Sequence, residues 1–240
     1  MTNFFDLLKR FKLPQFLENE KIIMMQWENE NRIADMTEEE LINRFSLYMC
    51  HINDEMKEMV DAEDHETYEN FLKEIIDVAM YTASAINLFA VKYKSLNGEE
   101  ILDSQYFTNG KTDIFQEFDF SKRIIISNDT LITVVSYYMS MIREFFPQRK
   151  WHKAKTTFTK EEYNTVLIKS YAIGCALIQM IVIYASKRAG LNYDLVSRII
   201  NEKQRKIVGD ALKTGTNLDP HIKKKLERLA NELSWLFWSI

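Results

Sequence analysis

Apolar residues recurring at intervals of three and four mark about seven helical segments along the chain. Phe4, Leu7, Leu8 and Phe11 form a short amphipathic stripe ending at Pro14, and a second helix is expected over 17–32. Thr37 and Glu40 make a capping box that opens a helix over 38–62. The polar stretch 63–66 separates it from a helix over 68–95, so the two form an antiparallel hairpin. Residues 96–120, with Asn97-Gly98 and Asn109-Gly110, read as a loop-rich connection, and 124–126 as a short strand or a helix start. A helix capped by Asn128, Asp129 or Thr130 should reach Phe146, where Pro147 stops it. Beyond a basic loop, Thr159 caps a long apolar helix over 160–189 that Gly190 ends. A further helix over 193–212 precedes a closing helix from Pro220, with Ile222, Leu226, Leu229 and Leu233 on one face.

Composition agrees with this pattern. Six glycines and three prolines in 240 residues disfavour turn-rich sandwiches, barrels and Gly-rich nucleotide folds, and 46% apolar residues support a large core. The expectation is one all-α domain over 1–240, a bundle with an acidic helix hairpin. Cys50 and Cys175 stand far apart in apolar stretches with no metal-type spacing, so both read as reduced core residues. The first ten residues mix acids and bases and lack the apolar core of a secretory signal. The most apolar run, Tyr171 to Ser186, stops at Lys187-Arg188, short of the ~20 residues of a spanning segment. A cytoplasmic protein making no use of a membrane is therefore expected.

Charge is strongly segregated. Residues 34–77 hold fourteen acids and three bases, a net −11 against −4 for the whole chain, so the remainder carries +7. Within the acidic part, the stripe Leu41, Phe45, Tyr48, Ile52, Glu55, Met59 has an acid at a core position, with Glu58 three residues on. The stripe Phe71, Glu74, Val78, Tyr81, Ala85, Leu88 is broken in the same way, with Asp77 three residues after Glu74. Two acid pairs at similar displacements from one turn can face each other. Four carboxylates at close range repel unless a cation neutralises them, and oxygen-only ligation favours Mg²⁺, with Mn²⁺ as the other option. A di-iron bundle would need a Glu-x-x-His pair, which neither helix has.

The arrangement Glu55-x-x-Glu58, fifteen intervening residues, then Glu74-x-x-Asp77 resembles the signature of the all-α nucleoside triphosphate pyrophosphatases, the MazG-like enzymes and dimeric dUTPases. That resemblance implies Mg²⁺-dependent hydrolysis between the α and β phosphates of a nucleoside triphosphate, most simply a dUTPase-like reaction, in a homodimer. It implies that Glu55, Glu58, Glu74 and Asp77 hold the metal, with Glu55 or Glu58 as the base that activates water. Tyr193 and the run Asn201-Glu202-Lys203-Gln204-Arg205-Lys206 are similar in order to the phosphate-binding pattern of dUTPases, with Gln and Arg exchanged and Ser197 at the lysine position. Arg198, Asn201, Lys203, Arg205 and Lys206 are thus the candidate phosphate-binding residues. Met80-Tyr81 stands where dUTPases commonly carry His-Phe.

Lesser candidates are His51, beside the acidic stripe, and Gln26, Trp27 and Asn29, where related enzymes gather base-recognition groups. Trp151 and His152 lie in the basic stretch 143–160, a mix used on single-stranded nucleic acid. The alternative function is that of a non-catalytic helical interaction or nucleic-acid-binding protein.

Overall fold

The computed structural model describes residues 10–104, 125, 127–146, 158–215 and 218–235. Among them are eight α-helices, one short 3-10 turn (Ile101–Asp103) and no strand. The helices are α1 (Leu13–Met24), α2 (Glu30–Asp35), α3 (Glu38–His65), α4 (Tyr68–Asn97), α5 (Asn128–Glu144), α6 (Lys160–Arg188), α7 (Tyr193–Thr214) and α8 (Pro220–Trp235).

Local chemistry places most boundaries. Thr37 Oγ1 accepts from Glu40 N and Glu40 Oε2 accepts from Thr37 N, completing the capping box that starts α3. Thr67 caps α4 by accepting from Asn70 N, so only Glu66 and Thr67 separate the two arms of the hairpin. Gly98, at φ +75°, supplies the left-handed residue that ends α4. Thr159 and Glu162 form a second capping box at the start of α6.

Several expectations are corrected. Pro14 does not end a helix but lies in the first turn of α1, where its missing N–H leaves no bond unmade. The helix expected over 17–32 is two pieces: the chain turns after Met24, and Asn29 restarts it by accepting from Asn31 N and Arg32 N. The cap of α5 is Ser127, extended at φ −148° and accepting from Thr130 N. Asn128 instead spends its amide on Glu63 and Tyr184. Cys175 is buried, but Cys50 is exposed, because it falls off the Tyr48–Ile52 core stripe of α3. The N-terminal stripe before Arg10, residues 105–124 and Ile126, the basic loop 147–157 and the tail 236–240 lie outside the described residues.

Helices α4 and α6 form the centre, with α3 and α5 packed around them. At Gly174 the two come close, since a Cβ there would overlap Ile86 Cγ2. By length and composition alone both α4 and α6 are long and apolar enough to cross a membrane. Inside the bundle, 83% and 78% of their most apolar windows are buried, so protein already covers the apolar surface. A smaller cluster of Ile23, Val208, Ala211, Leu226, Leu229 and Leu233 holds α8 onto α7 and α1. Leu17 and Met24 of α1 belong to the main core, so α1 joins both clusters.

Candidate functional site

On α3 the core stripe passes through Ile52, Met56 and Met59, and Glu55 stands half-buried at its edge rather than inside it. Met56 takes the core position, four residues after Ile52. On α4, Phe71 and Val78 are buried, while Glu74 and Asp77 are half-buried on the side facing α3. The short turn at 66–67 fixes the register, and Glu55, Glu58 and Glu74 converge, each offering a ligand oxygen within 4.8 Å of the others. The fourth expected ligand, Asp77, is not part of this trio. It forms a hydrogen-bonded ion pair with Lys203 of α7.

Glu55, Glu74, Asp77 and Lys203 border a cleft of about 620 Å³ between α1, α3, α4 and α7. Glu55, Glu74, Asp77 and Lys73 supply one part of its wall, and Glu202, Lys203, Lys206 and Asp210 of α7 face them. Ile23 and Trp27 from the α1 end, Met80, Tyr81 and Ser84 of α4, and Ile207 of α7 complete it. The cleft therefore has an acid-rich wall from α3 and α4, a wall of mixed charge from α7 that carries Lys203 and Lys206, and an apolar region.

Crowding sets the electrostatics. Burial, then the charges of Asp77, Glu58 and Glu74, push the Glu55 carboxyl up to about 7, with Lys203 opposing. Glu74 is also raised by burial, with Lys203 as the main opposing charge. For Asp77, burial raises the pKa, while the Lys203 ammonium and its hydrogen bond pull it down. Oxygen-only donors, close spacing and mutual repulsion are what a hard divalent cation relieves, so the residues present fit Mg²⁺ or Mn²⁺.

Of the five candidate phosphate-binding residues, Lys203 and Lys206 line the cleft. Arg198, Asn201 and Arg205 do not; they share a different face of α7, with Arg198 and Arg205 exposed and Asn201 half-buried. Spacings of three and four from 198 select that other face, whereas 203, 206, 207 and 210 select the cleft face. His51 is exposed and stacks on Tyr81 with ring centroids 5.4 Å apart, so it touches a cleft residue without lining the cleft. Trp27 is not core: 61% of it is exposed, at the cleft. Asn29 is the cap of α2. Gln26 is half-buried outside the cleft wall, with an unpartnered Nε2. Of the basic stretch, Trp151 and His152 lie outside the described residues.

Sequence reasoning missed Glu20. It is 1% exposed yet lines the cleft, and Gln204 Nε2 donates to its Oε1 at 2.7 Å. Burial first, opposed by the Gln204 hydrogen bond and reinforced by Asp77, pushes its carboxyl up to about 8. The signal was available: on α1 the apolar series Leu17, Met24 is interrupted by an acid at Glu20, the same anomaly that flags Glu55 and Glu74.

Comparisons of the chain with protein-family models, with curated proteins and with solved structures return no match.

Proposed function

We propose that the protein is a Mg²⁺-dependent nucleoside triphosphate pyrophosphohydrolase of the dUTPase and MazG-like type, cleaving a deoxynucleoside triphosphate to the monophosphate and pyrophosphate. The observation that carries this reading is the convergence of Glu55, Glu58 and Glu74 at the edge of a cleft whose wall carries Glu55, Glu74, Lys203 and Lys206. Carboxylates alone are a cation site, and lysines alone an anion site. Facing each other, they suit a metal-bound polyphosphate. The cleft volume lies within the ~300–1,000 Å³ usual for small-ligand sites.

In this reading Glu55, Glu58 and Glu74 hold the ion, with Asp77 beside them. Bound Mg²⁺ would offset the phosphate charge and make a water more acidic. An oxygen of Glu55 not taken up by the ion would accept the proton of the attacking water. Water oxygen attacks the α-phosphorus, the bond from that phosphorus to the α–β bridging oxygen breaks, and pyrophosphate departs with the electron pair. Asp77 keeps the Lys203 ammonium in the cleft, where Lys203 and Lys206 stabilise charge on the departing group.

The test is incubation with each common ribo- and deoxynucleoside triphosphate plus Mg²⁺, analysing both products. Pyrophosphate and a monophosphate are expected from at least one deoxynucleotide, with Glu74→Ala lowering the rate by about a hundredfold or more. Absence of pyrophosphate from every nucleotide contradicts the reading and leaves the helical binding protein as the better description.

A further inference from the structure

The proposed reaction explains the acidic and lysine-lined parts of the cleft but gives no role to Glu20. Glu20 lies on α1, and one turn on the same helix carries Ile23, with Trp27 just beyond. Its Oε1 accepts from Gln204 Nε2, and its Oε2 takes no hydrogen bond among the described residues.

A chain of amides, from exposed Gln15 through buried Asn19 and Gln204, leads to this carboxyl. Gln15 Nε2 donates to Asn19 Oδ1 at 2.8 Å, and Asn19 Nδ2 donates to Gln204 Oε1 at 3.0 Å. With Gln204 Oε1 accepting from Asn19, the Gln204 amide nitrogen is turned toward Glu20, whose Oε1 accepts. Burial holds Glu20 largely as the neutral acid at neutral pH. The proton then sits on Oε2, as a donor into the cleft. Glu20 is not one of the converging metal-type carboxylates, and its helix neighbours in the cleft are apolar.

Resting on the nucleotide reading above, we propose that Glu20 is the specificity-determining contact to the heteroaromatic base, its Oε2 donating a hydrogen bond to an acceptor on the base edge. Gln204 and Asn19 are positioning residues that hold this carboxyl in one orientation. A site built to hydrogen-bond a base group discriminates against bases that leave the donor unpaired.

The experiment compares kcat/KM for the four common deoxynucleoside triphosphates in the wild type, Glu20→Gln and Glu20→Met, with inorganic tripolyphosphate as a base-free competitor. Gln keeps a donor at the cleft, because its oxygen can take over the bond from Gln204; Met keeps the volume without the donor. Glu20→Met is expected to lower kcat/KM for the preferred nucleotide by about tenfold or more, mainly through KM, and to flatten the preference. Glu20→Gln should retain the ranking, and inhibition by tripolyphosphate should be the same in all three proteins. The proposal is overturned if Glu20→Met keeps the wild-type ranking, or if tripolyphosphate inhibition weakens in parallel with every nucleotide. Wild-type turnover with an unchanged ranking in Glu20→Met removes only the role of Glu20. No turnover of any nucleotide by the wild type removes both proposals.

Discussion

Glu55 concentrates the chemistry of the cleft in a single titration. Its carboxyl is raised to about 7 because it is half-buried beside Asp77, Glu58 and Glu74. A protonated carboxyl competes with a cation for the same oxygens, so binding Mg²⁺ releases a proton below that value. Apparent Mg²⁺ affinity is therefore expected to rise with pH by about tenfold per unit below 7, if one proton is displaced, and to level off above it. Calorimetric titration at pH 6, 7 and 8, in buffers of different ionisation enthalpy, checks both the affinity and the proton released. A pH-independent affinity would show that Glu55 does not bind the ion. The sign is opposite for the metal-free fold. A carboxyl raised from 4.5 to about 7 contributes stability that is full below 4.5 and is lost as pH climbs toward 7.

The hairpin of α3 and α4 was legible because every signal that makes it is local. A capping box opens α3, a threonine cap opens α4, and each apolar stripe carries an acid at or beside a core position. The α1–α2 break was less legible, since 17–32 keeps an apolar period through the turn. Contacts distant in sequence hold this region: Arg44 pairs with buried Glu28 in the turn at 2.7 Å, and Lys92 donates to Ala34 O and Met36 O at the far end of α2. At the contact between α4 and α6, Gly174 permits an approach that any side chain would block. Gly174→Ala is expected to destabilise the protein by about 1–3 kcal/mol despite the better helix propensity of alanine, because Ile86 lies in a packed core. Denaturant unfolding measures this. Unchanged or increased stability would mean that the two helices can separate without cost.

At the scale of the whole molecule, the cleft is assembled from parts far apart in the chain. Lys203 reaches Asp77 across 126 residues, and Gln204 reaches Glu20 across 184. Such pairings leave no trace in local periodicity. For that reason Asp77 was grouped with the metal ligands although it is held by a lysine, and Arg198, Asn201 and Arg205 were grouped with Lys203 although they face elsewhere. Gln204 shows the same limit. In sequence it is one position in a polar run; in the fold it is 1% exposed and ties α7 to α1. The acids that the fold brings together as the sequence suggests lie within one hairpin, whereas the placing of the rest depends on which face α7 and α1 turn toward it.

The most direct measurement is a crystal of the protein soaked in Mn²⁺, with data collected for the anomalous signal of the metal. An anomalous peak bonded to oxygens of Glu55, Glu58 and Glu74, and weakened in Glu58→Gln, is the predicted result. Full density for those three side chains with no peak between them would contradict the account.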